Sequence, residues 1–254
     1  MSDQMIFKRY EIKYMLTREQ KKRLCHLMKD EMIADEHGQS TIQSLYFDTP
    51  DYLLIRRSLD KPFYKEKLRL RSYGVATTES DVFIELKKKY DSVVYKRRIG
   101  MTEAEAVNYL LHREKITDSQ IAREIDYCLD YYRELAPKVL LSYEREAFYH
   151  KADHNLRITF DETILWRDYD VDLKAGIYGN PILDDDQVLM EVKTAGAMPL
   201  WLVKFLSKNH IYKTSFSKYG TAYTTMMRRI AIILKSAAPV YEKGGIYHYA
   251  KYYI

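Results

Sequence analysis

The chain has 254 residues, of which 46% are hydrophobic and 30% charged, with a formal net charge of +5 at pH 7. This length allows one large domain or two small ones with a real core, and so small a charge excess gives no support to nucleic acid as a partner. No stretch approaches the roughly 20 apolar residues of a bilayer span, and Met1-Ser-Asp-Gln lacks the basic, then apolar, start of a signal peptide.

In chain order, alternating or β-rich runs are predicted at about 6–15, 41–48, 64–73, 81–89, 92–99, 139–149, 155–160, 162–167 and 187–193. Helical patterns are predicted at about 17–29, 102–112, 118–134, 199–208 and 217–235. Thr17-Arg-Glu-Gln20 and Thr102-Glu-Ala-Glu105 have the form of capping boxes. Residues 51–60 fit a short helix or an irregular crossing. A domain over 1–236 is expected, followed by a Tyr-rich tail over 237–254 that opens on a turn-prone Gly pair. Strands outnumber helices and are mostly sequential. The expected class is therefore α+β, an antiparallel barrel of about eight strands with helices packed outside it. Cys25 and Cys128 are far apart, without metal-type spacing, and read as reduced thiols of a cytoplasmic protein.

The run Tyr64-Lys-Glu-Lys-Leu-Arg-Leu-Arg-Ser72 puts Lys65, Lys67, Arg69 and Arg71 on one face of a strand and Leu68 and Leu70 on the other. Arginine offers a rigid fork of donors that matches phosphate oxygens. Alternate cations lie about 6.6–6.8 Å apart along a strand, a spacing comparable to that of nearby phosphoryl groups in a polyphosphate. The bland reading of one such strand is a solvated face. The pattern recurs, however, in Glu11/Lys13, Glu85/Lys87 and Glu191/Lys193, so a wet interior lined with charge is the stronger reading. Val93-Val-Tyr-Lys-Arg-Arg-Ile99 offers Val94, Lys96 and Arg98 on one face, with Lys96 the choice for the interior. Tyr143 and Arg145 share a face, as do Arg157, Thr159 and Asp161. Glu191, in an otherwise apolar strand, is the better candidate for a hard cation such as Mg²⁺ or Mn²⁺. Glu85 reads equally well as a metal ligand or as a cross-strand ion pair. Ser217 could cap the last helix or offer its first amides to an anion, with Lys218 adding charge. The chain has no Gly-x-x-x-x-Gly-Lys-Ser/Thr loop, no Gly-x-Ser-x-Gly elbow and no zinc-type histidine spacing.

Glu11-Ile-Lys13, Ser44-Leu-Tyr-Phe-Asp48, Lys67-Leu-Arg-Leu-Arg71, Phe83-Ile-Glu-Leu-Lys87, Tyr143-Glu-Arg145, Leu156-Arg-Ile-Thr-Phe-Asp161, Met190-Glu-Val-Lys193 and Phe216-Ser-Lys-Tyr219, in this order, resemble the VTC domain. That is the catalytic domain of the vacuolar transporter chaperone polyphosphate polymerase, a triphosphate tunnel metalloenzyme. The resemblance implies an antiparallel tunnel in which Lys13, Arg69, Arg71, Lys87, Lys96, Arg145 and Arg157 meet phosphates, and the strand faces add Lys67 and Lys193 as substrate-binding candidates. It also implies that Glu191 holds Mn²⁺ or Mg²⁺ and that Ser217 and Lys218 close the site. The family has a lysine two residues before this serine, where the chain has Ser215; Lys213 is the nearest substitute. The expected activity is transfer of the γ-phosphoryl group of ATP to inorganic polyphosphate. The same parts would serve a tripolyphosphatase or nucleoside triphosphatase using water, or a polyphosphate-binding protein without turnover. Nucleic acid is not an expected partner, and a membrane-protein partner is left open.

Overall fold

The computed structural model describes residues 10–91, 93–114 and 118–237. Strand β1 (Tyr10–Thr17) ends in a capping box: the Gln20 backbone N–H donates to the Thr17 hydroxyl and the Thr17 N–H to the Gln20 side chain, which starts α1 (Arg18–Met28). The long strand β2 (Met32–Asp48) runs into α2 (Leu53–Leu59). Asp48 decides the undetermined stretch after it in favour of a helix, because its carboxylate accepts the Leu54 and Ile55 backbone N–H groups at 2.8 and 3.0 Å. Next come β3 (Tyr64–Tyr73), β4 (Asp81–Tyr90) and β5 (Val93–Thr102). The second capping box, Thr102 with Glu105, starts α3 (Glu103–Val107). The single helix expected over 102–112 is instead α3 followed by a π-helical turn, Asn108–His112, which ends at Arg113 in the left-handed region. The chain continues through α4 (Gln120–Tyr132), β6 (Ala136–His150), β7 (Arg157–Arg167), the two-residue β8 (Asn180–Pro181) and β9 (Gln187–Thr194). It closes with α5 (Leu200–Lys208), the two-residue β10 (Lys213–Thr214) and α6 (Lys218–Ala237). Beyond Ala237, the Tyr-rich tail lies outside the described residues.

The runs expected at 155–160 and 162–167 form one strand. Thr163 has φ +48°, and the pairing of β7 with β6 shifts register between Ser142 and Glu144. The bulge flips the alternation. Arg157, Thr159 and Asp161 before it and Ile164 and Trp166 after it thus share one face of the sheet, so a single strand reads as two.

All ladders are antiparallel, in the order β10-β1-β9-β7-β6-β2-β3-β4-β5, with β8 on β7. Eight of these strands are long, as expected, but the sheet is open: β5 and β10 are its ends. It is nonetheless strongly curled. β3 and β10 lie six strand spacings apart, about 29 Å in a flat sheet. Yet the Lys67 ammonium on β3 donates to the hydroxyl of Ser217, three residues past β10, at 3.3 Å.

Helices cover the convex face in two groups. Leu68, Leu70, Ile84 and Leu86 are buried against Ala106, Ile125 and Leu129 of α3 and α4. Tyr14, Leu16, Phe160 and Met190 pack with Leu24 and Met28 of α1 and Leu202 and Leu206 of α5. Each such aliphatic side chain contributes roughly 1.5–3 kcal/mol by leaving water. The two remaining helices pack on the other face. Tyr46, Val139, Leu141 and Trp166 point to the concave side, where they pack against Ile55 of α2 and Tyr219, Ala222 and Met226 of α6. These two helices occupy part of the hollow, where a closed barrel would have only side chains. Among the described residues, no helix is long and apolar enough to cross a membrane.

Candidate functional site

Cross-strand register carries the cation row from strand to strand. Lys67 faces Lys87, which faces Lys96; Arg69 faces Glu85, which faces Arg98; and Ser44 and Tyr46 of β2 stand opposite Arg71 and Arg69. On the other side of the hollow, Arg145 faces Asp161, Thr159 faces Glu191, and Glu191 faces Lys13. Directly opposed residues project to the same side of a sheet, so all of these line the concave face.

Two carboxylate nodes organise the cations. The first is Glu85, 1% exposed. Arg69 donates to its Oε2 through Nε and approaches the same oxygen with Nη2, at 2.8 and 2.6 Å, and the Lys96 ammonium lies 2.7 Å from Oε1. Arg98 and Arg71 stand farther off, at 3.7 and 3.9 Å. Burial alone would raise the Glu85 carboxyl, but Arg69, Arg71 and Lys96 outweigh it and hold it at about 2. The second node joins two acids. Asp161, fully buried, takes a bidentate pair from Arg145 at 2.6 and 2.7 Å and a further hydrogen bond from Lys218. Glu191 is ringed more loosely, by Lys13 at 3.3 Å, Arg145 at 3.6 Å and Lys218 at 3.7 Å. Burial opposes ionisation of both acids, but Lys218 and Arg145 lower the Asp161 carboxyl, and Lys218, Lys13 and Arg145 hold that of Glu191 well below the usual carboxylate range.

Among the described residues, Lys67, Lys87 and Lys193 make no ion pair with a carboxylate. Lys67 is held by Ser217 instead. Ser217 also caps α6, accepting the Gly220 N–H at 3.1 Å. Lys213 does not take the place of the family's lysine: it pairs with Tyr14, a residue of the convex core, and is exposed, whereas Thr214 faces Lys13. Arg157 lies on the concave face opposite Lys193, but its side chain is 48% exposed and pairs with Asp35 at 2.6 Å, apart from both nodes. The sequence reading placed Tyr143 and Asp161 on these faces without giving them a role, and it passed over Tyr46. Tyr46 accepts from Arg69 at 3.0 Å, Tyr143 accepts from Arg71 at 3.2 Å, and Asp161 anchors Arg145 and Lys218. Alternation along Ser44-Leu-Tyr46 puts Tyr46 on one face with Ser44, but only the register of β2 with β3 sets it opposite Arg69.

The cations set a pH limit. Burial, with Lys65, Lys87 and Lys13 adding to it, lowers the Lys67 ammonium to about 8 despite the opposing pull of Tyr46. Burial would raise the Tyr46 hydroxyl, but Arg69, Lys67 and Arg71 bring it down to about 8. Raising the pH through this value removes a positive charge and adds a negative one, and both changes weaken anion binding. Affinity for tripolyphosphate is therefore expected to fall above pH 8 by up to about tenfold per pH unit for each proton lost. Titration calorimetry from pH 6.5 to 9.5 checks this, and a flat profile would contradict it.

For a divalent ion, the two predicted glutamates differ. Glu85 has cations close to both oxygens, Arg69 at 2.6 Å from Oε2 and Lys96 at 2.7 Å from Oε1, an arrangement that suits a counter-ion. The looser contacts of Glu191 leave lone pairs for a hard cation of the kind that binds one or two carboxylates plus phosphate oxygens and water.

The VTC domain model matches residues 8–227. No curated protein matches. Among solved structures, the chain is similar to a Bacillus halodurans protein named as a candidate adenylate cyclase, at 16% identity and a TM-score of 0.51 over 82% of this chain and 92% of that one. It is also similar to HpAC1 from Hippeastrum, a candidate adenylyl cyclase described as having a dominant triphosphatase activity. That match has 16% identity and a TM-score of 0.50 over 86% of this chain and 96% of that one. The fold is that of the triphosphate tunnel proteins, and with a match over most of its length the chain belongs to the VTC domain family.

Proposed function

We propose that the protein is a metal-dependent polyphosphate polymerase. It would transfer the γ-phosphoryl group of ATP to the end of an inorganic polyphosphate chain and release ADP. The observation that carries this reading is that, among the described residues, Lys67, Lys87 and Lys193 of the concave face make no ion pair with a carboxylate, while Glu85, Asp161 and Glu191 hold the neighbouring cations in place. Phosphoryl transfer needs in-line positioning and neutralisation of spreading charge more than covalent help. Arg69, Arg71, Lys87 and Arg145 would hold the reacting phosphates, and Lys13, Lys67, Lys96, Lys193, Ser217 and Lys218 the flanking ones. Arg157, at the rim, would meet the chain where it enters. Glu191 would hold Mn²⁺ or Mg²⁺, which would supply positive charge against the negative charge of the phosphates. A cytoplasmic setting suits ATP as donor and the two free thiols, Cys25 and Cys128.

The second reading uses water as acceptor, and the triphosphatase activity of the Hippeastrum neighbour favours it. Incubation with ATP and Mn²⁺ separates the outcomes. Long-chain polyphosphate that disappears with Glu191→Gln supports the polymerase. Free phosphate alone supports the triphosphatase. Tight polyphosphate binding without either product reduces the protein to a binder.

A further inference from the structure

Arg69 is held on two sides. Its guanidinium has five N–H donors. Nε and Nη2 are turned to Glu85 Oε2 on β4, and Nη1 donates to the Tyr46 hydroxyl on β2 at 3.0 Å. Two N–H groups remain for a ligand. Glu85 alone would fix one edge of the guanidinium, and the second acceptor, on the neighbouring strand, stops it from rocking about that edge.

Tyr46 is itself well anchored. It is 8% exposed, and its ring stacks on Tyr219, with centroids 4.5 Å apart and planes at 25°. Tyr219, 1% exposed, donates to Asp48 Oδ2 at 2.9 Å, and Asp48 is fully buried at the start of α2. Tyr219 directly follows Ser217 and Lys218, which meet Lys67 and Asp161. The stacked pair therefore ties the aim of Arg69 to the first turn of α6, where the other side of the site is built.

We infer that Tyr46 is a positioning residue. It holds the Arg69 guanidinium so that its two remaining N–H groups meet a phosphoryl group of the bound triphosphate, and Tyr219 backs it. The inference rests on the phosphate-handling function proposed above and adds a residue that acts through Arg69.

The test is a double-mutant cycle on binding of a non-hydrolysable triphosphate analogue with Mg²⁺, using wild type, Tyr46→Phe, Arg69→Lys and the double variant. Phenylalanine keeps the stacked ring and removes only the hydroxyl. Tyr46→Phe is expected to weaken binding by about tenfold or somewhat more, near the lower end for a hydrogen bond to a charged group. In the Arg69→Lys background, which lacks the fork, it should have almost no further effect. The thermal midpoint of Tyr46→Phe should stay close to that of wild type. Unchanged binding, an equal loss in both backgrounds, or loss of the fold would each overturn the inference, the last by making the hydroxyl structural. If wild type itself fails to bind the analogue, the proposed function fails, an outcome distinct from a wild type that binds through Arg69 without help from Tyr46.

Discussion

An Arg69→Ala variant is expected to lose at least about a hundredfold in kcat/KM with ATP while keeping its fold. The two N–H groups left over after Glu85 and Tyr46 are served would make charge-assisted bonds to phosphate, each worth roughly 1.5–3 kcal/mol. Losing both costs about 3–6 kcal/mol of transition-state stabilisation, and each 1.36 kcal/mol is about tenfold in rate. The fold survives because Glu85 keeps Lys96 close by and Arg98 and Arg71 within 4 Å. Arg69→Lys keeps the charge without the fork and should fall between the two. Steady-state kinetics with a thermal melt of each variant check this, and an alanine variant within tenfold of wild type would remove Arg69 from the site.

Glu85→Gln is expected to act on stability first. The substitution keeps the shape and removes the charge on which Arg69, Arg71, Lys96 and Arg98 converge. Removing one partner of a buried ion pair typically costs about 3–5 kcal/mol, which in a chain of this size lowers the melting temperature by roughly 6–20 °C. Tripolyphosphate should restore much of this, because an anion that binds only the folded state replaces the missing charge, by about 2.7 kcal/mol at a hundred times its Kd. The acid limb carries the same information. The Glu85 carboxyl is depressed to about 2 in the folded protein, so its stabilising effect is present above the usual glutamate range, near 4.3, and is lost as pH falls towards 2. The glutamine variant should lose that part of the acid dependence. A variant that melts like wild type but binds Mn²⁺ more weakly would return Glu85 to the metal and contradict its role as counter-ion.

The sequence by itself determined what is local. The period of two placed Lys67, Arg69 and Arg71 opposite Leu68 and Leu70, since successive side chains of a strand alternate whatever the strand packs against. The capping boxes at Thr17 and Thr102 and the Ser217 cap were equally legible, because each is closed within three residues. The tertiary structure decided everything that joins distant segments. The approach of Lys67 to Ser217 spans 150 residues of chain, and only the curl of the sheet brings them together. Alternation says that two faces differ but not which one the helices cover. It therefore left open that α2 and α6 enter the hollow while α1, α3, α4 and α5 bury the leucines outside. It could not separate Arg157 at the rim from Arg145 at the centre, since their patterns are alike and only their depth differs. Nor could it choose between metal ligand and counter-ion for Glu85, because that depends on how many cations converge on one carboxylate, and here they come from β3 and β5. Register and curvature are set by packing between segments far apart in the chain, and these decided which of the legible charges meet.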